Sequence, residues 1–201
     1  MVPALVVFGG PTEFASRLIL GAVVAVGLSD ILSVRAFGGG KTDETRDRRT
    51  FEVIQALQLV AVLGALLAAS RLAALALPGN PYAWVVPGLA LMAAGAAFRA
   101  WAVASLGRRF RRVVAIDADH EIVTAGPYRW LRHPAYTGAL VTFVGLGLAL
   151  DNAVAVALCA FLPIWGYLYR IRVEERELEL ALGEPYRAFA VGRKRLIPGV
   201  W

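Results

Sequence analysis

The chain has 201 residues, of which 58% are hydrophobic, and a mean hydropathy of +0.61; a soluble domain of this size would sit nearer half apolar. Its 21 Lys and Arg outnumber its 15 Asp and Glu, giving a net charge of +6, yet the basic residues gather in 37–50, 107–133 and 168–201, between apolar spans. That alternation is the positive-inside pattern of a membrane protein, with attraction to anionic lipids, and it excludes nucleic acid as the reason for the basicity.

Five spans are predicted in one domain covering 1–201. Residues 1–17 lack a basic start and break at Gly9-Gly10-Pro11, which does not fit a cleavable signal, so the first span is expected to stay as an anchor. It runs over Leu18–Val34, with Asp30 near its inner end and a helix stop at Gly38-Gly39-Gly40. A second span, Phe51–Leu77, carries Arg71 and ends at Pro78-Gly-Asn-Pro81. The third, Tyr82–Leu106, is rich in Ala and Gly, which permits close helix contact. These make up an N-terminal unit, 18–106; the remainder, 107–201, forms a second functional unit.

Residues 113–133 read as an extended connector with a turn at Asp117-Ala-Asp-His120. Ala135–Leu150 and Ala153–Tyr169 are short apolar spans joined by Asp151-Asn152, an antiparallel hairpin, whose length implies tilt or bilayer thinning. A polar helix is expected to continue to about Leu182, break at Gly183-Glu-Pro185, and give way to a tail, Tyr186–Trp201. Loop charge puts 37–50, 107–133 and 168–201 in the cytoplasm, 78–81 and 151–152 outside, the N-terminus out and the C-terminus in. The fold class is an all-α, multi-pass membrane protein.

Several chemistries drop out. Gly38-Gly-Gly-Lys-Thr42 resembles a phosphate loop, but Arg35 stands where the first glycine must be, and no strand precedes it. No dinucleotide-binding glycine pattern follows a strand. His120, His133 and a single Cys159 offer a poor zinc set, so no metal is expected, and no disulfide can form within the chain.

What remains is Arg132-His133-Pro134. Pro134 suits a first helical position and His133 a cap; the amides of Ala135 and Tyr136 beside Arg132 then make an anion site. The alternative is that Arg129 and Arg132 bind lipid phosphates. Further on, Ile171, Leu178 and Leu182 define an apolar stripe, which Glu174 and Glu175 flank at roughly 60° and 40°. That placement points to a functional role for at least one of the two carboxylates, with salt bridges to Arg170 and Arg172 as the alternative. Arg170 and Arg99 either snorkel to headgroups or face an anionic ligand.

His120-Glu-Ile-Val-Thr-Ala-Gly-Pro-Tyr128, Arg132-His-Pro-Ala-Tyr136, Arg170 with Glu174-Glu175, and Gly183-Glu-Pro-Tyr186 together resemble the isoprenylcysteine carboxyl methyltransferase family. Its membrane clan also holds phospholipid N-methyltransferases. The resemblance covers about 90–201, and departs at Phe189, where many members have a tyrosine. It implies S-adenosylmethionine as methyl donor, leaving S-adenosylhomocysteine, in a cytoplasm-facing pocket. His120, Ile122, Val123, Gly126, Tyr128, Arg132, His133, Tyr136, Glu174 and Glu175 would contact the donor. Arg170 and Glu174 would be catalytic, and Arg170 with Arg99 would hold the acceptor. That acceptor would be a lipophilic or prenylated carboxylate, arriving among membrane lipids. A phospholipid amine acceptor, and a non-catalytic lipid-binding module, are the alternatives; a transporter is disfavoured because the last two spans are almost without polar groups.

Overall fold

The structure, a computed structural model, describes residues 49–107, 122–199 and 201, together with Leu20, Gly21, Val23, Val24 and Gly27. Those five isolated positions are helical. Asp30, the 37–48 loop, Arg108–Arg112 and His120 lie outside the described residues, as does most of the first predicted span.

Helix α1 spans Thr50–Arg71 and α2 spans Tyr82–Leu106. Pro134–Ala149 forms α3, Ala153–Leu182 forms α4, and Glu184–Ala190 forms the short α5. Apart from the five isolated helical positions, every other regular segment among the described residues is a short 3-10 turn or an isolated bridge. Three of these helices, α1, α2 and α4, are long and apolar enough to cross a membrane; α3, with 16 residues, is shorter. The chain is thus an all-α membrane protein, as its hydropathy predicts. Outward-facing Leu59, Leu63 and Leu67 on α1 and Phe161 and Trp165 on α4 are exposed, which suits lipid rather than water as the surrounding solvent.

The second span ends earlier than expected: α1 stops at Arg71, and a 3-10 turn at Ala73–Leu75 leads to an extended Ala76. Asn152 explains the difference. Its amide nitrogen donates to the Leu72 carbonyl at 2.9 Å, and Ala76 forms an isolated antiparallel bridge with Asn152. The same side chain caps α4, its oxygen accepting from the amides of Val154 and Ala155 at 3.0 and 3.2 Å. One fully buried asparagine therefore ties the two predicted outer turns together at one end of the bundle.

The last predicted span and the polar helix after it are one uninterrupted helix. α4 has 30 residues and rises about 45 Å, so it outruns a hydrocarbon core of about 30 Å. Its final turns carry Arg170–Glu177 beyond the apolar bundle. Gly183, at φ +59°, ends it and turns the chain into α5.

Backbone contact joins α2 to α3. Gly88 and Gly95 on one helix face Gly145 and Gly138 on the other, running antiparallel. A Cβ on Gly95 would lie 2.6 Å from the Thr142 nitrogen, one on Gly138 2.6 Å from the Arg99 nitrogen, and one on Gly145 2.5 Å from the Met92 nitrogen. Glycine at these four positions lets the helices meet without intervening side chains. Around them Ala65, Met92, Leu146, Ala155 and Cys159 form the main buried cluster.

Candidate active site

At the other end of the bundle from Asn152, the start of α3 meets the polar end of α4. Pro134 takes the first helical position and His133 the cap. His133 caps with its backbone carbonyl, which accepts from the Tyr136 and Thr137 amides at 3.1 and 3.2 Å. Its ring is free for other work: Nε2 lies 3.2 Å from Glu175 Oε1 and Nδ1 3.9 Å from Glu174 Oε2.

Tyr136 sits at the centre. Its hydroxyl donates to Glu174 Oε2 at 2.7 Å and accepts from Arg170 Nε at 2.7 Å. One face of its ring stacks on His133, the other on Tyr167, and Gln58 of α1 donates to the Tyr167 hydroxyl at 2.8 Å. Arg170 is buried, and its Nη1 donates to Thr50 Oγ1 at 2.8 Å. Thr50 starts α1, so Arg170 draws a third helix into the assembly.

Glu175 collects three basic groups. Arg132 Nη1 donates to Oε1 at 3.2 Å, sharing that oxygen with His133, while Arg195 Nε donates to Oε2 at 2.9 Å. Burial alone would push the Glu175 carboxyl up, but the hydrogen bonds and charges of His133 and Arg195 outweigh it and hold it down at about 2, against an ordinary 4.5. Because the folded value lies below the unfolded one, this carboxylate stabilises the fold above pH 4.5, by about 3 kcal/mol. That contribution fades as pH falls from 4.5 through 2. Acid unfolding of the wild type in detergent should therefore show a loss of stability over that window, and Glu175→Gln should flatten it.

The segment after α5 binds the start of α3. Carbonyls of Lys194 and Arg195 accept from the Arg132 and His133 amides at 2.8 and 3.0 Å. Arg132 Nε and Nη2 donate to the carbonyls of Arg193 and Ala190, and Thr137 Oγ1 to that of Leu196 at 2.7 Å. Carbonyl oxygens thus take the two amides just ahead of the helix, while the Tyr136 amide, expected to receive an anion, bonds to the His133 carbonyl. Arg132 serves first to fasten this segment.

Val123 packs beside the buried cluster of Ala102, Val103, Tyr128 and Ala135, and Ile122 precedes it, half-buried. Gly126 has φ +58°, and a Cβ there would collide with Ser105 Oγ. Burial pushes the Tyr128 hydroxyl well up, with Glu174 adding to it and Arg99 opposing, so Tyr128 stays protonated near both. Arg99 Nη1 donates to the Ala135 carbonyl at 3.0 Å. The structure thus gathers Tyr128, Arg132, His133, Tyr136, Arg170, Glu174 and Glu175 at one end of the bundle, with Gly126, Val123 and Arg99 alongside.

Sequence reasoning did not find Arg195, Thr50, Gln58 or Tyr167. Arg195 lay in a tail whose basicity already had an explanation in topology, and no motif marks the others.

As for fit to a methyl donor with an ammonium and a sulfonium, Glu174 spends one oxygen on Tyr136 and its side chain remains 28% exposed. It keeps acceptor capacity on a partly exposed side chain, as a cationic ligand requires.

A model of the isoprenylcysteine carboxyl methyltransferase family matches residues 88–180. Protein-S-isoprenylcysteine O-methyltransferase B of Arabidopsis thaliana is 31% identical over 118 residues, 56% of this chain and 59% of that protein. The probable protein-S-isoprenylcysteine O-methyltransferase of Oryza sativa subsp. japonica is 36% identical over 107 residues, 51% of this chain and 55% of the relative. The Homo sapiens protein-S-isoprenylcysteine O-methyltransferase is 33% identical over 119 residues, covering 57% of this chain and 40% of that protein. The chain spans about half the length of the curated relatives it matches.

Proposed function

We propose, from the match of residues 88–180 to the isoprenylcysteine carboxyl methyltransferase family, that this chain transfers a methyl group from S-adenosylmethionine to the carboxylate of a lipophilic, prenylcysteine-like acceptor. The observation that carries this reading is the meeting of Glu174 and Glu175 with His133 and Tyr136 at the start of α3. Loop charge supports a topology with this end of the bundle in the cytoplasm, the N-terminus outside and the C-terminus inside.

Bound there, S-adenosylmethionine supplies an electrophilic methyl that needs no activation. Glu174 would take the donor's ammonium or ribose hydroxyls, Tyr136 would hold Glu174 in its rotamer, and Tyr128 with Gly126, Ile122 and Val123 would line the adenosyl side, His120 being assigned there by its motif. Arg132, His133 and Glu175 form the wall behind. Arg170, fixed between Tyr136 and Thr50, is the charge we assign to the acceptor carboxylate, and Arg99 steadies the helix start through Ala135. A carboxylate acceptor is already ionised near neutral pH, so no general base is required. Alignment in a site shielded from water is the work left to the protein.

Calorimetric titration of detergent-purified protein with S-adenosylmethionine should show binding, and Glu174→Gln should weaken it about tenfold or more, the cost of one charge-assisted contact. Labelled methyl should pass to a farnesylcysteine acceptor. Wild-type protein that binds no donor would sink the reading; label passing to phosphatidylethanolamine alone would move the acceptor to an amine.

A further inference from the structure

We infer that Tyr186 is a further ligand-binding residue of this site, its hydroxyl donating a hydrogen bond to an oxygen of the bound methyl donor. This rests on the reading above and extends it to a residue outside the family-matched segment 88–180.

Tyr186 is 6% exposed, yet its hydroxyl has no hydrogen-bond partner. Among the described residues only one other buried side-chain polar atom shares that condition, Asp151 Oδ1, at the opposite end of the bundle. The sharp turn at Gly183 places Tyr186 in α5, folded back beneath the end of α4, with its ring against Phe189 at 6.0 Å. Burial pushes the phenol well up, Glu175 and Glu174 push the same way, and Arg132 and Arg195 oppose them. The hydroxyl therefore stays protonated among the same four charged groups that define the site.

None of those groups accepts from the Tyr186 hydroxyl. Glu175 receives Arg132, His133 and Arg195, and Glu174 receives Tyr136. An unsatisfied donor in such a place is costly to the free protein, and phenylalanine would fill the same space without the penalty. A ligand that brings an acceptor oxygen removes the cost. Both the ribose hydroxyls and the amino-acid carboxylate of S-adenosylmethionine offer one, and S-adenosylhomocysteine retains both.

The two states make opposite demands on Tyr186→Phe, and this gives the test. Ligand-free Tyr186→Phe should melt at the same temperature as wild type or a few degrees higher, measured in the same detergent. Its Kd for S-adenosylmethionine and for S-adenosylhomocysteine should rise about tenfold by calorimetry. Decarboxylated S-adenosylmethionine separates the two acceptors: if the carboxylate is the partner, this ligand binds both proteins equally, and if a ribose hydroxyl is, the tenfold gap persists. Equal affinity of wild type and variant for all three ligands overturns the inference alone. A melting temperature that falls in the variant also overturns it, since the hydroxyl would then be satisfied within the fold. Wild-type protein that binds none of the three removes the methyl-donor reading and this inference with it.

Discussion

Glu175→Ala is expected to destabilise the protein by about 3 kcal/mol and to abolish donor binding. The Glu175 side chain is 12% exposed and receives hydrogen bonds from Arg132, His133 and Arg195. Removing one member of a buried, hydrogen-bonded charge set leaves the others uncompensated, and this costs far more than the net worth of any one pair. Here Arg132 and Arg195 would be left facing each other across the space of the missing carboxylate.

The damage should not stay local. Arg132 and Arg195 hold the segment 193–196 to the start of α3, through the Arg193 and Ala190 carbonyls on one side and Glu175 on the other. Hydrogen exchange should therefore rise at the amides of Arg132 and His133, which Lys194 and Arg195 protect in the wild type. Arg195→Ala should cost less, because Arg195 is 38% exposed and its charge can be hydrated. In a double-mutant cycle the pair should show clear coupling, since both act on one network. A Glu175→Ala variant that melts with the wild type and keeps its exchange pattern would show that this carboxylate organises nothing.

Much of this architecture was legible beforehand, and for definable reasons. The boundaries of α2, α3 and the end of α4 followed from punctuation that acts locally: Pro134 at a helix start, Asp151-Asn152 between two apolar runs, Gly183 at a stop. Glu174 and Glu175 could be placed on the edge of a buried stripe because helical periodicity fixes their direction relative to Ile171. Partners were another matter. The nearest basic neighbours in sequence, Arg170 and Arg172, looked like the natural mates for this pair. Glu175 instead receives Arg195, twenty positions on, and the two residues just ahead of α3, because the turn at Gly183 and the hairpin at Asp151 bring distant chain together. Arg132 showed the same limit: its motif marked it as an anion ligand, and tertiary structure supplies what no motif encodes, the Glu175 carboxylate and two backbone carbonyls around its guanidinium. Asn152 was read as a simple joint, and its reach to Leu72, which shortens α1, depends on a contact no local pattern encodes.

The second large effect lies at a residue that touches no ligand. Gly145→Val should cost about 3 kcal/mol, at the upper end for overpacking, and should weaken donor binding well beyond what its distance from Glu174 suggests. A Cβ at Gly145 would stand 2.5 Å from the Met92 nitrogen and 2.7 Å from the Gly88 carbonyl oxygen, and both are backbone atoms in the middle of α2, which cannot rotate aside. The helices must separate. Gly138, seven residues earlier on the same face, meets Arg99 in the same way, so a wedge at Gly145 tilts the whole of α3 against α2, including the end that carries His133 and Tyr136. Their bonds to Glu174 and Glu175 are 2.7 and 3.2 Å long, and a shift of an ångström removes them. Gly64→Ala is the matched control on the α1–α4 side, where the new methyl meets only the flexible Leu158 Cδ1 at 3.0 Å. It should cost little and leave S-adenosylmethionine affinity unchanged. Equal melting temperatures for the two variants would mean that the α2–α3 contact yields more readily than close backbone packing allows, and that the site does not depend on it for alignment.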